Sequence, residues 1–333
     1  MADDVGAEGV LQAFLEAREA RTIVLARGAG RRLGAGGAGA RVLSTRPFHG
    51  IRAYHPENLT VEVGAGTSAA SLNEELGAHR QWFPVGLLDG DDDSLGGIVS
   101  AGLMGGFHGY GPMRDRVLGL TVVTPGFGVV RLGAGVVKSV AGYNMPRLYW
   151  GSRGAFGVIT SLILRLAPTP RVPQVTVRSD DTGDPRPLLE TGVHKVLDAG
   201  WPQARATMWV EGGRAWLEIS APADVIEVSP FAAWARISPS VLRGGTFDVA
   251  RGYGRGDVSA DLYTCVRSGR QAAFDVGSGI LHTVAPTGFG RGLGLTALRV
   301  PRPIYPALAR FKRAVDPDDV LLPLELLEKE DGA

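Results

Sequence analysis

The hydrophobic and polar positions of the chain change period several times in its first 170 residues. Val10, Leu11, Phe14 and Leu15 recur at three- and four-residue spacings, which predicts a short amphipathic helix over 9–20. "TIVLARGAGRRLGAGGAG" (22–39) is an apolar, β-rich run that enters a glycine loop. In "LTVEVGAGTSAASLNEELGAHR", Val61 and Val63 alternate as in a strand, and Leu72 and Leu76 lie four apart as in a helix. Ser71-x-x-Glu74 supplies a capping box for that helix. The first 85 residues or so therefore predict a small α/β unit.

The texture changes from residue 86. In "DDDSLGGIVSAGLMGG", Asp93 or Ser94 caps a short helix of small residues. "VLGLTVVTPGFGVVRLG" predicts two strands joined by a Pro-Gly turn. "NMPRLYWG" predicts one or two helical turns, with Pro146 near the start and Gly151 past the end. "VITSLILRLAP" alternates as a strand. Beyond Pro168, the polar stretch "RSDDTGDPRP" reads as a boundary or a long loop. Strands such as "ATMWVEGGRAWLEIS" and the helix "YPALARFKRAV" follow, in an order that the pattern does not fix, before the tail "EKEDGA".

Composition narrows the function classes. The 333 residues carry a formal net charge of +1 and no Lys/Arg-rich block, which argues against a nucleic-acid binder. One cysteine, Cys265, excludes an internal disulfide, a cysteine-based zinc site and an iron–sulfur cluster held by this chain alone. Cys265 itself reads as a small buried hydrophobe. The acidic start "MADDVGAEGVLQAFLEA" has no apolar signal core, and no apolar run reaches the ~20 residues of a membrane span. The default expectation is a cytoplasmic protein. Glycine is the outlier: 48 residues, about twice average usage, clustered at 28–39, 86–111, 126–135 and 142–157. Glycine-dense loops between apolar strands suit a backbone that something approaches closely.

Three glycine segments are candidates for chemistry. The loop Arg27-Gly28-Ala29-Gly30-Arg31-Arg32-Leu33-Gly34 follows a strand, but its spacing is G-x-G-x-x-x-G and no helix follows. A dinucleotide fingerprint needs that helix, and a phosphate-binding Walker loop needs Gly-Lys-Ser/Thr, so both are rejected. What remains is a strand–loop–strand whose N–H groups can form an anion nest beside Arg31 and Arg32. By itself it is more simply a surface loop. The second, "DSLGGIVSAGLMGG", admits a planar ligand or a phosphate near its N–H groups, or else allows close helix–sheet packing. The third, "VVKSVAGYNMPRLYWGSRGAFGVIT" (136–160), surrounds Lys138 and Tyr143 with glycine, and both side chains are read as structural. Two phosphate-cradling loops and a third backbone-lined loop imply a large cofactor between two lobes.

The same segments resemble the FAD-binding, PCMH-type (vanillyl-alcohol-oxidase-like) flavoprotein family. "LSTRPFHGIRAYHPENLTVEVGAGTSAASLNEELGAHRQWFP" resembles its strand–helix region, and "DSLGGIVSAG" its T-[IV]-G-G-x-x-A-x-[NG] loop. "MRDRVLGLTVV" resembles its R-D-x-V-L-G strand. "KSVAGYNMPRLYWGSRGAFGVIT" resembles K-N-x-A-G-Y-D-x-x-R-L-x-x-G-S-x-G-T-L-G-x-I-T, in the form found in the FAD-binding E-type subunits of bacterial glycolate oxidases. The match covers residues 20–168 well and is thinner beyond. It implies an α+β fold, with a two-lobed FAD-binding domain over 1–170 (lobes about 1–85 and 86–170). A smaller α+β C-terminal domain over 171–325 and a polar tail over 326–333 complete the expected organisation.

The resemblance also implies roles. Gly28, Ala29, Gly30, Arg31 and Arg32, with Arg27 at the head of the loop, would serve the FAD pyrophosphate. Ser94, Leu95, Gly96, Gly97, Ser100, Ala101 and Gly102 would run along phosphate, ribityl chain and flavin. Gly151, Gly154, Gly157, Val158 and Ile159 would approach the cofactor through their backbone. Arg114 and Asp115 form a structural or phosphate-side pair, or more simply a cap with a local ion pair.

Where covalent members hold flavin through His or Cys, this chain has Arg31, so the expected FAD is noncovalent. Asn144, Ala155 and Phe156 stand where the family has Asp, Thr and Leu, and Leu322-Pro323-Leu324 replaces its Asn-Pro-Gly. The H-x-G-D-G-N-x-H motif of the catalytic D-type subunit is absent, and His108 and His282 read as structural or exposed. No catalytic base and no metal site is identified. The resemblance thus implies a flavoprotein subunit working with a D-type catalytic flavin subunit and a separate iron–sulfur subunit, through which any membrane association would arise. A stand-alone FAD oxidoreductase and a flavin-free assembly scaffold remain as alternatives.

Overall fold

The structure, a computed structural model, describes residues 2–29, 40–84, 93–102, 113–133, 145–169, 171, 174–190, 205–227, 235–237, 249–252, 258–275, 280–283, 297–298 and 305–324. The expected N-terminal helix is longer than its large apolar residues suggest: α1 spans Ala2–Ala20. Its buried face is Ala7, Val10, Phe14 and Ala17, with Ala13 beside them, whereas Leu15 is 46% exposed. Small alanines complete the buried face, and the expected place of Leu15 on it is corrected. β1 (Ile23–Arg27) and β2 (Ala40–Ser44) then pair in parallel, Ile23 opposite Ala40, which is the strand–loop–strand arrangement read from the sequence.

A five-stranded antiparallel sheet forms the body of the N-terminal half. Its strands are β3 (Ile51–His55), β4 (Thr60–Gly64), β6 (Val117–Thr124), β7 (Gly128–Gly133) and β8 (Val158–Arg165), in the order β3-β4-β8-β6-β7. β6 and β7 are the expected hairpin around Pro125-Gly126. β5 (Gln81–Trp82) and β9 (Ala167–Pro168) make a small separate pair. Helix α2 (Ala69–Gly77) packs Leu72 and Leu76 inward, but its cap is Ser68, whose hydroxyl accepts the Ser71 N–H. Ser71 lies within the first turn, so the capping box starting there is corrected to a cap three residues earlier.

One apolar core joins both expected lobes, with Val61, Val63, Leu72 and Leu76 from the first and Leu95, Ile98, Leu120, Leu162 and Leu164 from the second. Each such buried side chain contributes roughly 1.5–3 kcal/mol relative to exposure. A smaller core packs α1 on Val24, Phe48, Val123 and Val158. The chain's last described segment belongs to these cores and not to the second half. Val315, Leu322 and Leu324 enter the main core, and Val320 and Leu321 enter the smaller one. The helix Tyr305–Val315 reaches the β6–β7 turn, where the Gly126 N–H donates to Val315 O at 2.9 Å. A Cβ on Gly126 would lie 2.4 Å from Ala314 O. The expected unit 171–325 is therefore not a packing unit at its C-terminal end.

The second half is built on an eight-stranded sheet of β10 (Gln174–Arg178), β11 (Arg205–Glu211), β12 (Arg214–Pro222), β13 (Ala235–Ile237), β14 (Val249–Gly252), β15 (Ala272–Asp275), β16 (Ile280–Thr283) and β17 (Ala297–Leu298). The order is β13-β10-β12-β11-β15-β16-β14-β17, antiparallel except for the β14–β17 pair. Gly212 and Gly213 make the two-residue β11–β12 turn with φ of 57° and 76°. The polar stretch read as a boundary or a long loop lies inside this half as a loop. Ser179 Oγ accepts Leu217 N–H, and Thr182 and Ala215 exchange backbone hydrogen bonds, so its polar residues dock a loop onto β12.

One face of the sheet packs on the helices Ala223–Glu227 and Ser259–Ser268 through Ile226, Leu262 and Cys265. Burial pushes the Cys265 thiol up, away from its reactive thiolate form. Native protein is thus expected to react with an aromatic disulfide reagent at least tenfold more slowly than urea-unfolded protein, read from thiolate release. Equal rates would place Cys265 at the surface.

Candidate functional site

The three glycine segments meet on one short helix, α3 (Leu95–Ala101). Ser94, not Asp93, is its N-cap: the buried Ser94 hydroxyl accepts the Gly97 N–H at 3.2 Å. The other first-turn donors are also taken. Leu95 N–H donates to Thr67 O, Gly96 N–H to Ala65 O and Ile98 N–H to Ser94 O. The expectation that this helix start presents free N–H groups to a phosphate is corrected, because its donors fasten α3 to the end of β4 and to its own cap.

What α3 does present is a cleared face. Leu95, Gly96, Ile98, Val99 and Ala101 are buried, while Gly97 and Ser100, three apart, are half-exposed on the same side. A Cβ on Gly96 would lie 2.8 Å from Ala65 Cβ and 2.9 Å from Ala65 O, so that glycine serves helix–strand contact. A Cβ on Gly97 would meet only its own cap, Ser94 Oγ.

The first loop arrives through Gly28, where a Cβ would lie 2.0 Å from Ser94 Oγ. Arg27, Gly28 and Ala29 are half-buried there, and Arg27 O accepts Thr45 N–H. Gly30, Arg31 and Arg32 lie outside the described residues, as do His108, Lys138, Tyr143 and Asn144.

The third segment arrives from α4 (Pro146–Tyr149), which ends as expected before Gly151 at φ 76°. Gly151 N–H donates to Val99 O at 2.9 Å and Arg153 N–H to Ser100 O at 2.8 Å, binding this loop to the C-terminal end of α3. Gly102, at φ 67°, caps α3, and its Cβ would lie 2.9 Å from Gly151 Cα. Gly154, at φ 88°, faces open space, whereas a Cβ on Gly157 would lie 2.8 Å from Val123 O. Val158 and Ile159 bury their side chains in the two cores, so only their main chain can meet a ligand. β4 ends at Gly64 opposite Ser161, short of both.

Two side chains missed by sequence reasoning complete the picture. Ser152 is 3% exposed and its hydroxyl has no hydrogen-bond partner, directly between Gly151 and Arg153. Its position inside the quoted G-S-x-G run was the available signal. Arg147 of α4 holds Asp115 by a short ion pair, and Arg114 stands 4.0 Å from the same carboxylate. Asp115 thus ties α4 to the turn Met113–Arg116, which agrees with the simpler reading of an ion pair. Tyr149 is buried with its hydroxyl donating to Phe156 O, and burial pushes its phenol far up, which keeps it protonated. The family departures Ala155 and Phe156 are core residues. Phe156 meets Tyr149 and Phe311 edge-on at 6.3 and 5.2 Å between ring centroids.

A large, flat, polar cofactor fits this arrangement. The cleared face at Gly97 and Ser100, the open Gly154 and the orphan Ser152 hydroxyl lie on backbone loops gathered by one helix. Residues 7–133 match the FAD binding domain family. The chain is 38% identical over 128 residues to a mitochondrial D-lactate dehydrogenase (cytochrome) of Arabidopsis thaliana, covering 38% of this chain and 22% of that protein. It is 34% identical over 133 residues to glycolate oxidase subunit GlcE of Escherichia coli, covering 39% and 38%. It is 32% identical over 157 residues to glycolate oxidase subunit GlcD of Bacillus subtilis, covering 46% and 33%. The matched segments span between 22% and 38% of those three proteins' own lengths. Over residues 7–133 the chain is thus similar to FAD binding domains, and that match indicates FAD as its cofactor.

Proposed function

We propose that the chain is the FAD-carrying subunit of a glycolate oxidase-type complex that oxidises a 2-hydroxy acid, such as glycolate or D-lactate, to the 2-oxo acid. The observation that carries this reading is the convergence of three backbone loops on α3, in a chain similar to both glycolate oxidase subunits. Bound there, FAD supplies the hydride acceptor for such an oxidation. The chain's own part is to hold the cofactor without a covalent bond. Gly97, Ser100 and Gly154 leave room for it, Ser152 offers a buried hydroxyl, and Arg27, Gly28 and Ala29 lead the first loop toward it. The remaining expected residues, Ser94, Leu95, Gly96, Ala101, Gly102, Arg114, Asp115, Gly151, Gly157, Val158 and Ile159, act as the frame beneath that surface.

Cys265, the sole cysteine, sits in the helix Ser259–Ser268 against the eight-stranded sheet, so an iron–sulfur relay belongs to another chain. The proposed partners are a D-type catalytic flavin subunit and a separate iron–sulfur subunit, and the proposed location is cytoplasmic, with any membrane association through those subunits. No helix among the described residues is long and apolar enough to cross a membrane. A second reading, a stand-alone FAD oxidoreductase, draws on the similarity to the Arabidopsis thaliana D-lactate dehydrogenase.

Purification with dye-linked assays separates the readings. The expected result is a yellow chain whose FAD is released by acid, inert alone toward glycolate and D-lactate, and active once combined with both partners. Dye reduction by the chain alone would overturn the subunit reading in favour of the second. A colourless chain that cannot be reconstituted with FAD would leave only the scaffold.

A further inference from the structure

The third loop is held in a conformation that its own residues do not favour. Gly151 stands at φ 76°, Arg153 at 54°, Gly154 at 88° and Gly157 at 139°. Arg153 is the costly one, because an L-residue with a side chain enters the left-handed region only when its surroundings over-determine it. One set of fasteners is the end of α3, whose Val99 and Ser100 carbonyls accept from Gly151 and Arg153 N–H. The second set is aromatic.

Tyr149 and Phe156 stand at the two ends of this loop, both buried. Their rings meet edge-on at 6.3 Å, and the Tyr149 hydroxyl donates to Phe156 O at 3.4 Å. Together they close residues 150–155 at the base. Within that closure Ser152 N–H donates to Tyr149 O at 3.2 Å, and Ala155 N–H to Ser152 O at 2.8 Å. The loop then offers the unpartnered Ser152 hydroxyl and the open Gly154.

Phe311 reaches the closure from far along the chain. It lies on the helix Tyr305–Val315, packs against the main core and meets Phe156 edge-on, with 5.2 Å between centroids and 67° between planes. An edge-to-face pair of this kind is favourable beyond the area it buries. The helix that carries Phe311 is itself fixed, because the next residue, Lys312, pairs with the buried Asp316. Phe156 is thus held between a ring from its own loop and a ring from the C-terminal helix.

We infer that Phe311 is a positioning residue for the FAD site. Through Phe156 it holds residues 150–155 in the strained form that the cofactor meets, so the C-terminal helix sets FAD affinity. A loop already held in its bound form spares the cofactor the cost of ordering it. The inference rests on the proposed FAD site at α3, and it gives a binding role to a helix outside the matched residues 7–133.

Titration of the full apo chain with FAD, read by flavin fluorescence, tests it beside thermal melting without FAD. Phe311→Ala is expected to lower FAD affinity roughly tenfold. Phe311→Leu, a milder truncation, carries the same test if the alanine variant does not fold. Phe311→Tyr keeps the ring and should bind as the wild type does. Val315→Ala removes apolar bulk from the same helix, so its melting temperature falls while its FAD affinity holds. A double-mutant cycle supplies a readout that lost stability alone would not move. With Phe156→Leu already present, Phe311→Ala should cost at most about twofold more, because the contact between the rings is already gone. Unchanged affinity in the Phe311 truncations, an equal loss in Val315→Ala, or fully additive losses in the cycle would overturn the inference. FAD binding by the wild type would in each case leave the functional reading standing. A wild-type chain that binds no FAD would remove both.

Discussion

Replacing Asp316 with alanine is expected to destabilise the protein by about 3–5 kcal/mol, the cost of removing one partner from a buried ion pair. Its carboxylate is fully buried and meets the Lys312 ammonium, which is itself 7% exposed. Oδ1 accepts the Val320 N–H and Oδ2 the Leu321 N–H, both at 3.0 Å. Alanine would strand a buried ammonium and two buried N–H groups at once. The loss would spread, because Val320 O accepts Val24 N–H at 2.7 Å and the next residues fill the N-terminal cores. Urea unfolding followed by far-ultraviolet dichroism measures the effect. Arg18→Ala, which removes an exposed pair with Asp318, serves as the control and should cost less than about 1 kcal/mol. Similar costs for the two would show that Asp316 does not fasten the C-terminal segment.

The Asp316 contacts also show where sequence reading stops. A carboxylate four residues after a lysine reads as an ordinary solvated helix pair, and only the returning chain buries it. The local signals were legible: the Pro-Gly hairpin of β6 and β7, the Ser94 cap of α3 and the stop at Gly151 each depend on neighbouring residues. The insertion of β8 between β4 and β6 depends on pairings about a hundred residues apart in the chain, such as Val61 with Leu164, which no local period announces. The glycines divide in the same way. Their density pointed to close approach, yet Gly96, Gly102 and Gly157 are approached by protein, Gly97 meets its own Ser94 cap, and Gly154 faces open space. Strands were legible in "ATMWVEGGRAWLEIS", but the burial of Thr207 and Glu218 is a tertiary fact.

Gly96→Val and Ser100→Leu are expected to separate the frame of the FAD site from its surface. Valine at 96 would drive its Cβ to 2.8 Å from Ala65 Cβ and 2.9 Å from Ala65 O. The Ala65 carbonyl cannot rotate away, because it accepts the Gly96 N–H at 2.8 Å. Helix α3 must shift as a body, and the Gly151–Val99 and Arg153–Ser100 bonds that seat the third loop shift with it. Overpacking of this kind costs about 1–3 kcal/mol, and the loops that meet on α3 lose their common support. The expected variant is both less stable and unable to retain FAD through gel filtration. Leucine at 100 points the other way: the position is half-exposed, and leucine favours helix more than serine does. Its melting temperature without FAD should match the wild type, while FAD affinity falls roughly tenfold or more because the side chain occupies the cleared face. Unchanged FAD affinity in Ser100→Leu would move the cofactor off this face of α3, and an unchanged melting temperature in Gly96→Val would show that α3 is not the support on which the loops depend.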